Sequence, residues 1–378
     1  MTEKLHTSQC IVVKIGSALL IDEAKRMVNI AWLESLLEDL LELIQKNIKI
    51  VLVSSGATAF GKLVLGMKHK AIALDKKQAA SAVGQIQLIH LYQTLLNEKG
   101  IQAGQVLLTL NDTEHRSRYI NLRNTLKQLI QMNVIPIINE NDSVSTDEIR
   151  YGDNDRLAAR VAQMVEADTL ILLSDINGFY TDDPHLSSDA KLIPSIDSIT
   201  TDLSNMAKNS HTNYGSGGMI TKLSAARIAM NSGCRMLITN GRPQHPLRHF
   251  ITTNEGTWFK TKVTAQRAKK IWLQEHLKSL GTITIDAGAE AALLKGASLL
   301  PVGIVQVGGD FVKGSVVTVY TRDRIKIARG LINYSQHEIS KIKGKKTVEI
   351  EKLLGYYGPI EVIHRDNLVV LNKKDDSE

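Results

Sequence analysis

Residues 139–155 read Asn-Glu-Asn-Asp-Ser-Val-Ser-Thr-Asp-Glu-Ile-Arg-Tyr-Gly-Asp-Asn-Asp. The run just before them, Val-Ile-Pro-Ile-Ile at 134–138, is apolar and predicts a buried strand. The run just after, 155–166, has helical spacing. A dense set of carboxylates and amides therefore sits where a strand ends and a helix begins. In open α/β sheets, ligands bind outside the carboxyl ends of the strands. Acids and amides suit a ligand that carries an ammonium group together with hydroxyl or carboxyl hydrogen-bond partners. An idle, solvated acidic loop is the plain alternative.

Working outward, the same alternation recurs on both sides. Apolar strands are expected at 10–15, 48–53, 106–110, 134–138, 169–173 and 235–239, and helices at 32–45, 77–98, 117–132, 155–166 and 219–231. Strands alternating with helices imply a mostly parallel sheet with helices on both faces. Lys14 is out of place in a strand of Ile and Val, because burying an ammonium is costly without a counter-charge. It either snorkels to the rim or points at a bound anion, beside Gly16 and Ser17 at the strand end. Ser54-Ser55-Gly56-Ala57 is a second turn of small residues, where a ligand can approach the backbone closely. The strand at 169–173 runs into Ser174-Asp175-Ile176-Asn177-Gly178, a loop with defined turns. Tyr214-Gly215-Ser216-Gly217-Gly218-Met219-Ile220-Thr221-Lys222 opens the helix at 219–231. A glycine-rich loop at a helix N-terminus is an anion site, and Lys222 adds a full charge there. It is not a Walker A sequence, and a flexible hinge is the alternative.

At 378 residues the chain is long enough for two domains. Hydrophobic residues make up 43% and charged ones 22%, which excludes large-scale disorder. A net charge of +7 favours anionic partners but is spread thinly. Cys10 and Cys234 are too few for a disulfide scaffold, and both adjoin strand patterns. They are expected to be buried free thiols, with a cytoplasmic location. No apolar leader opens the sequence and no apolar run reaches membrane-spanning length, so no membrane association is expected.

The character changes across 261–279, a basic helical stretch, and Leu280-Gly281 marks a boundary. Beyond it come short strands separated by turns, a small, mainly β domain. Residues 313–346 hold nine basic residues against two acidic ones, with Tyr320 and Tyr334 among them. Such a surface binds RNA or is simply solvated.

Taken together, Val12-Val13-Lys14-Ile15-Gly16-Ser17, Ser54 to Ala57, Asn139-Glu140-Asn141-Asp142, Gly152-Asp153-Asn154-Asp155, Ser174-Asp175 with Gly178-Phe179-Tyr180-Thr181, and Gly215 to Met219 with Lys222 occur in the order found in glutamate 5-kinases. These belong to the amino acid kinase superfamily, and the C-terminal region from Gly281 to Tyr356 resembles the PUA domain that many members carry. Aspartokinases and acetylglutamate kinases fit less well, because neither carries a PUA domain. The resemblance covers nearly the whole chain. It implies an amino acid kinase-like three-layer α/β sandwich over 1–276, a PUA-like domain over 277–372, and a polar tail over 373–378.

The implied reaction is ATP-dependent phosphorylation of the γ-carboxylate of L-glutamate, the first step of proline synthesis, with Mg²⁺. A carboxylate with a pKa of about 4.3 is already ionised and needs no general base. The obstacle is repulsion between two anions, which lysines and Mg²⁺ relieve. By resemblance Lys14, Lys222 and Asp155 carry the catalysis, with Asp155 holding the lysines. Ser55, Asp142 and Asn154 bind glutamate with Asn139 and Asp153 nearby, and Asp142 partners the α-ammonium. Lys14, Ser174, Asp175, Ser216, Gly217, Gly218, Met219, Ile220, Thr221 and Lys222 bind ATP. Which carboxylate, if any, meets the metal stays open. The resemblance further implies L-proline as a feedback inhibitor and a homo-oligomer, dimer or tetramer; any RNA binding through the PUA-like domain would be weak. Arg150 stands where lysine is common in the family, and Ser174 and Ser216 stand where threonine is frequent. A scaffold that chiefly binds RNA is the reading from another class, and an acetylglutamate or other small-acid kinase is the runner-up among enzymes.

Overall fold

Strand β1 (Cys10–Ile15) is buried from Ile11 onward, because a parallel strand inside a three-layer fold has no solvent face. The computed structural model that shows this describes residues 5, 7–22, 25–67, 73–144, 153–182, 184, 187, 189–209, 218–261, 263–264, 267–268 and 279–371. The chain divides into two compact units, Met1–Ala265 and Gln266–Glu378, where the sequence reading places the division after residue 276.

In the first unit, β1 is followed by helix α1 (Ser17–Leu20), a small hairpin of β2 (Ile21–Asp22) and β3 (Met27–Val28), and α2 (Ile30–Gln45). Then come β4 (Lys49–Ser54), α3 (Ala57–Val64), α4 (Leu74–Asn97) and β5 (Ala103–Leu108). Next are α5 (Leu110–Glu114), α6 (Arg116–Gln131), β6 (Ile135–Glu140) and α7 (Asp153–Val165). The unit continues with β7 (Thr169–Ser174), β8 (Ser195–Ile196), α8 (Thr201–Asn209), α9 (Met219–Asn231), β9 (Arg235–Asn240), α10 (Pro246–Thr253) and β10 (Gly256–Phe259). The sheet order is β5-β6-β4-β1-β7-β9-β10-β8. β10 runs antiparallel to β9 and β8 parallel to β10, and the other adjacent pairs are parallel.

Alternation along β1 builds two cores. Ile11, Val13 and Ile15 pack with Trp32, Leu33, Leu36 and Leu40 of α2 and with Leu88, Tyr92 and Leu96 of α4. The helical spacing of those leucines puts them on one stripe, and each one fully buried contributes about 1.5–3 kcal/mol. Val12 packs on the opposite face with Leu157, Ala158 and Val161 of α7 and Ala225, Ala226 and Ala229 of α9. Lys14 has the parity of Val12, so its side chain emerges under α7 and α9.

The register aligns the strand ends that matter. Ile15 sits opposite Ser54 of β4 and Leu173 of β7, and Ser174 sits opposite Asn240. Strands β4 and β7 flank β1 on opposite sides: the chain builds β4, β5 and β6 on one side of β1 and then crosses to β7 on the other. That makes the carboxyl end of β1 a topological switch point.

The second unit has β11 (Gly281–Ile285), α11 (Ala287–Leu294), β12 (Ile304–Gly309), β13 (Val316–Tyr320), β14 (Lys326–Leu331), α12 (Gln336–Ile342), α13 (Ile350–Leu354) and β15 (Leu368–Val370). Its sheet order is β12-β11-β13-β14-β15, over a core that includes Ile283, Ile285, Val317, Val319 and Tyr334.

Several expectations need correction. The strand expected at 106–110 ends at Leu108, because Thr109 caps α5 through a reciprocal bond with Asp112. β9 does not close the series: β10 and β8 extend the sheet. The C-terminal unit is not strands and turns alone, since Asp286 caps α11 and Ser335 caps α12. Cys10 is only half-buried, whereas Cys234 is buried; both are free. Among the described residues no helix is long and apolar enough to cross a membrane. Most of the basic stretch at 261–279 lies outside the described residues.

Candidate functional site

The centre of the site is Asp155, in the first turn of α7 and fully buried. Lys14 Nζ forms an ion pair with its Oδ1 at 2.7 Å. Lys222 Nζ, from the first turn of α9, donates to Oδ2 at 3.2 Å. Thr221 Oγ1 donates to the same oxygen at 3.3 Å. Burial alone would push the Asp155 carboxyl up; the two ammonium groups outweigh it and hold it below the usual aspartate range. Two lysines share this one carboxylate, in a cluster where both ammonium groups are nearly buried. The lysine in β1 therefore neither snorkels away nor stands alone: a counter-charge from another element holds it beside Gly16.

On the β4 and β6 side the amides converge. Asn154 Nδ2, next to Asp155, donates to Ser55 Oγ at 2.5 Å and lies 3.3 Å from Asn139 Oδ1 and 3.4 Å from the Ser54 carbonyl. Asn139, at the end of β6, donates from Nδ2 to Gln85 Oε1 at 2.6 Å. The turn from β4 into α3 needs Gly56 at φ +105°, a left-handed conformation that side chains resist.

Asp142 accepts from Ser81 Oγ at 2.7 Å and from Thr58 Oγ1 at 3.4 Å. Burial raises its carboxyl pKa, against the lowering effect of those two hydroxyls. Thr58 comes from α3, and Ser81 and Gln85 from one face of α4. These two helices can cross there because glycines meet at the contact. A β-carbon on Gly61 would lie 1.7 Å from the Ala80 carbonyl oxygen, and one on Gly84 1.9 Å from that of Ala57. Further along the same α4 face, Tyr92 Oη meets Ser54 Oγ at 3.0 Å.

On the β7 and β9 side, Ser174 is buried and its Oγ donates to Asp175 Oδ1 at 3.1 Å, while Asp175 itself is exposed. Asn240 Nδ2 donates to Asn177 Oδ1 at 3.0 Å and ties the two strand-end loops together. Gly178 packs so that a β-carbon would meet Thr257 Oγ1 at 2.4 Å. Helix α9 starts at Gly218 without a side-chain cap, and a helix N-terminus is where backbone N–H groups can meet an anion.

Of the residues singled out in the sequence, Lys14, Asp155, Thr221 and Lys222 meet in one cluster. Ser55, Asn139 and Asn154 meet in the next, with Asp142 held by α3 and α4. Gly218 and Met219 open α9, and the Ile220 side chain is 52% exposed, so that residue can serve an anion only through its backbone. Asp153 opens α7, but its side chain, like Ser216, Gly217 and Arg150, lies outside the described residues. Thr58, Ser81 and Gln85 were not read from the sequence. The available signals were Gly84 in mid-helix, which costs about 1 kcal/mol unless packing demands it, and the four-residue spacing of Ser81 and Gln85.

The switch point of the sheet thus carries a lysine–aspartate–lysine cluster, with a helix start on one side and amides on the other. The amino acid kinase family matches residues 9–240, and the PUA domain matches residues 281–354. The chain belongs to the amino acid kinase family and carries a PUA domain C-terminal to the kinase region. Among its relatives are glutamate 5-kinases. That of Rhodospirillum rubrum is 48% identical, over 95% of this chain and 96% of its own. That of Rhodopseudomonas palustris strain HaA2 is 47% identical, over 97% of this chain and 98% of its own. A solved UMP kinase structure from Bacillus anthracis superposes with a TM-score of 0.47 at 15% identity, covering 68% of this chain and 98% of that one.

Proposed function

We propose that the chain transfers the γ-phosphoryl group of ATP to the γ-carboxylate of L-glutamate, giving L-glutamyl 5-phosphate for proline synthesis. One observation carries this reading: Asp155 holds Lys14 and Lys222 at the switch point, between an amide-and-acid pocket and an uncapped helix start.

A glutamate carboxylate oxygen forms the new bond to the γ-phosphorus while the bond to the β–γ bridging oxygen breaks, and ADP leaves. No proton moves, because the nucleophile is already ionised. What the site supplies is charge. Lys14 and Lys222 face the transferring group and offset the repulsion between two anions. Asp155 positions them. Asp142 takes the α-ammonium, and Ser55, Asn139 and Asn154, with Asp153 nearby, complete the glutamate side. Ser174, Asp175 and the turn Gly218, Met219, Ile220, Thr221, Lys222 take ATP, with Ser216 and Gly217 preceding them.

Among the described residues no group of three or more His, Cys, Asp or Glu side chains is placed to hold a metal, and the two lysines occupy Asp155. In this reading Mg²⁺ would enter with the nucleotide phosphates. Bound there, Mg²⁺ would neutralise phosphate charge.

With this reading go a kinase domain over 1–276, a PUA domain over 277–372 with a polar tail, a homo-oligomer, feedback by L-proline and a cytoplasmic location. The basic run 313–346 supports at most weak RNA binding. A kinase for N-acetylglutamate is disfavoured, because acetylation removes the charge that Asp142 would meet. The test is hydroxylamine trapping with Mg-ATP and glutamate. γ-Glutamyl hydroxamate should accumulate, and its absence despite ADP release would refute acyl phosphate formation.

A further inference from the structure

The turn that follows β7 is pinned at both ends. At its start the Gly241 N–H donates to the Ser174 carbonyl at 2.7 Å. At its end the Phe179 N–H donates to Thr257 Oγ1 at 2.7 Å, and Gly178 packs against the same threonine. Between these pins, the backbone of residues 175–178 makes no hydrogen bond among the described residues. What crosses from this part of the turn to the sheet is the side chain of Asn177. Its Oδ1 accepts from Asn240 Nδ2 at 3.0 Å, and its Nδ2 donates to Glu255 Oε2 at 2.8 Å. Groups that cannot reverse set the direction of both bonds. The Arg242 N–H, which can only donate, meets Asn240 Oδ1 at 2.9 Å, so Asn240 turns its nitrogen toward Asn177. The Glu255 carboxylate can only accept, so it takes the Asn177 nitrogen. Asn240 ends β9, and Glu255 is held just before β10, where its carbonyl accepts from Thr239 Oγ1 at 2.9 Å. One side chain thus ties a turn without backbone bonds of its own to the ends of two strands.

We propose that Asn177 is a positioning residue for nucleotide binding: its bridge from Asn240 to Glu255 holds the turn in which Ser174 and Asp175 take ATP. The inference rests on the reading above that assigns ATP to Ser174 and Asp175, and adds to it the residue that sets where that turn stands. Asn177 itself needs no contact with the nucleotide. Without the bridge, residues 175–178 are held only at their ends, and ATP must order them as it binds, at a cost in affinity. That cost falls on ATP and not on glutamate, whose proposed partners lie on the β4 and β6 side of β1. Asn177 is half-buried and Glu255 exposed, so replacing either leaves both cores of the unit intact.

The test measures Mg-ATP binding to the full-length protein by titration calorimetry, with no acceptor present, and the KM values for ATP and glutamate beside it. Asn177→Ala should raise the Kd for Mg-ATP about five-fold, the scale of a lost hydrogen bond. The KM for ATP should rise in step, with the KM for glutamate unchanged. Glu255→Ala removes one half of the bridge, should act in the same direction, and stands in if Asn177→Ala does not fold. Asn177→Asp sets two carboxylates face to face and should bind no better than Asn177→Ala. Adding Glu255→Gln to Asn177→Asp exchanges carboxylate and amide and should restore most of the affinity, because an amide at 255 donates to a carboxylate at 177. Equal restoration by Asn177→Asp with Glu255→Ala would show that charge alone acts, and would overturn the bridge. An equal rise in the glutamate KM would overturn it too. Asp175→Ala separates the two readings. If it leaves the Kd for Mg-ATP unchanged, the turn is not an ATP site and both readings fail. If it weakens binding while Asn177→Ala does not, the bridge alone is overturned.

Discussion

Lys14 and Asp155 lie 2.7 Å apart although one comes from the first strand of the sheet and the other from a helix more than a hundred residues later. The pair is buried, and Lys222 joins it from a third element. Removing the carboxylate leaves two ammonium groups without their shared counter-charge. Asp155→Asn should cost about 3–5 kcal/mol in stability, the range for breaking a buried pair from one side, and should depress kcat more than either KM. The sign of the pH effect follows from the lowered carboxyl pKa. Its stabilisation is present above the ordinary aspartate value of about 3.9 and is lost as pH falls through the lower folded value. Urea midpoints measured down into that range should drop less steeply for Asp155→Asn than for the wild type.

The glycine contact between α3 and α4 gives a second expectation. A β-carbon at Gly84 would lie 1.9 Å from a backbone oxygen, which no rotamer change relieves. Gly84→Ala should therefore spread the two helices, at a cost of about 1–3 kcal/mol or more. Thr58 and Ser81 move with them, so the KM for glutamate should rise while that for ATP holds. Thermal melts and steady-state kinetics on the same preparation check both parts.

Asp142 supplies a pH signature. Burial raises its pKa, and the Ser81 and Thr58 hydroxyls oppose that rise. A protonated Asp142 no longer neutralises an ammonium, so the KM for glutamate should climb on the acid side, beginning above the ordinary aspartate range. Ser81→Ala removes one opposing hydrogen bond and should move that limb to higher pH. A limb that stays put in Ser81→Ala would show that another group titrates.

How much of this was legible in the sequence follows from what each feature depends on. Strands buried on both faces read as near-continuous apolar runs, so β1, β4, β6, β7 and β9 were found to within two residues at each end. β8, with two residues, and β10, with four, are too short to show a period. Helix α11, Ala-Gly-Ala-Glu-Ala-Ala-Leu-Leu, has almost no polar face to alternate with. Asp155 and Lys222 were legible because motif and element boundary coincide. Thr58, Ser81 and Gln85 were not, because they reach the strand ends only through a helix crossing that no contiguous pattern records.

The division of labour between the two units is open to a direct test. The side chains assigned to chemistry lie between Lys14 and Lys222, inside the unit Met1–Ala265, which has its own two cores. A protein ending at Ser279 should fold and still phosphorylate glutamate, with regulation or assembly altered instead. Circular dichroism should establish the fold, and kcat at saturating ATP and glutamate the activity. A folded truncation without turnover would place part of the catalytic machinery in the PUA domain.

The most direct measurement of the central claim is Mg-dependent ADP release by the full-length protein across L-glutamate, N-acetylglutamate, aspartate and carbamate. We predict rapid release with L-glutamate alone, because the proposed function assigns the ammonium to Asp142 and the phosphoryl group to Lys14 and Lys222. A clear preference for N-acetylglutamate, which lacks that ammonium, would contradict the assignment.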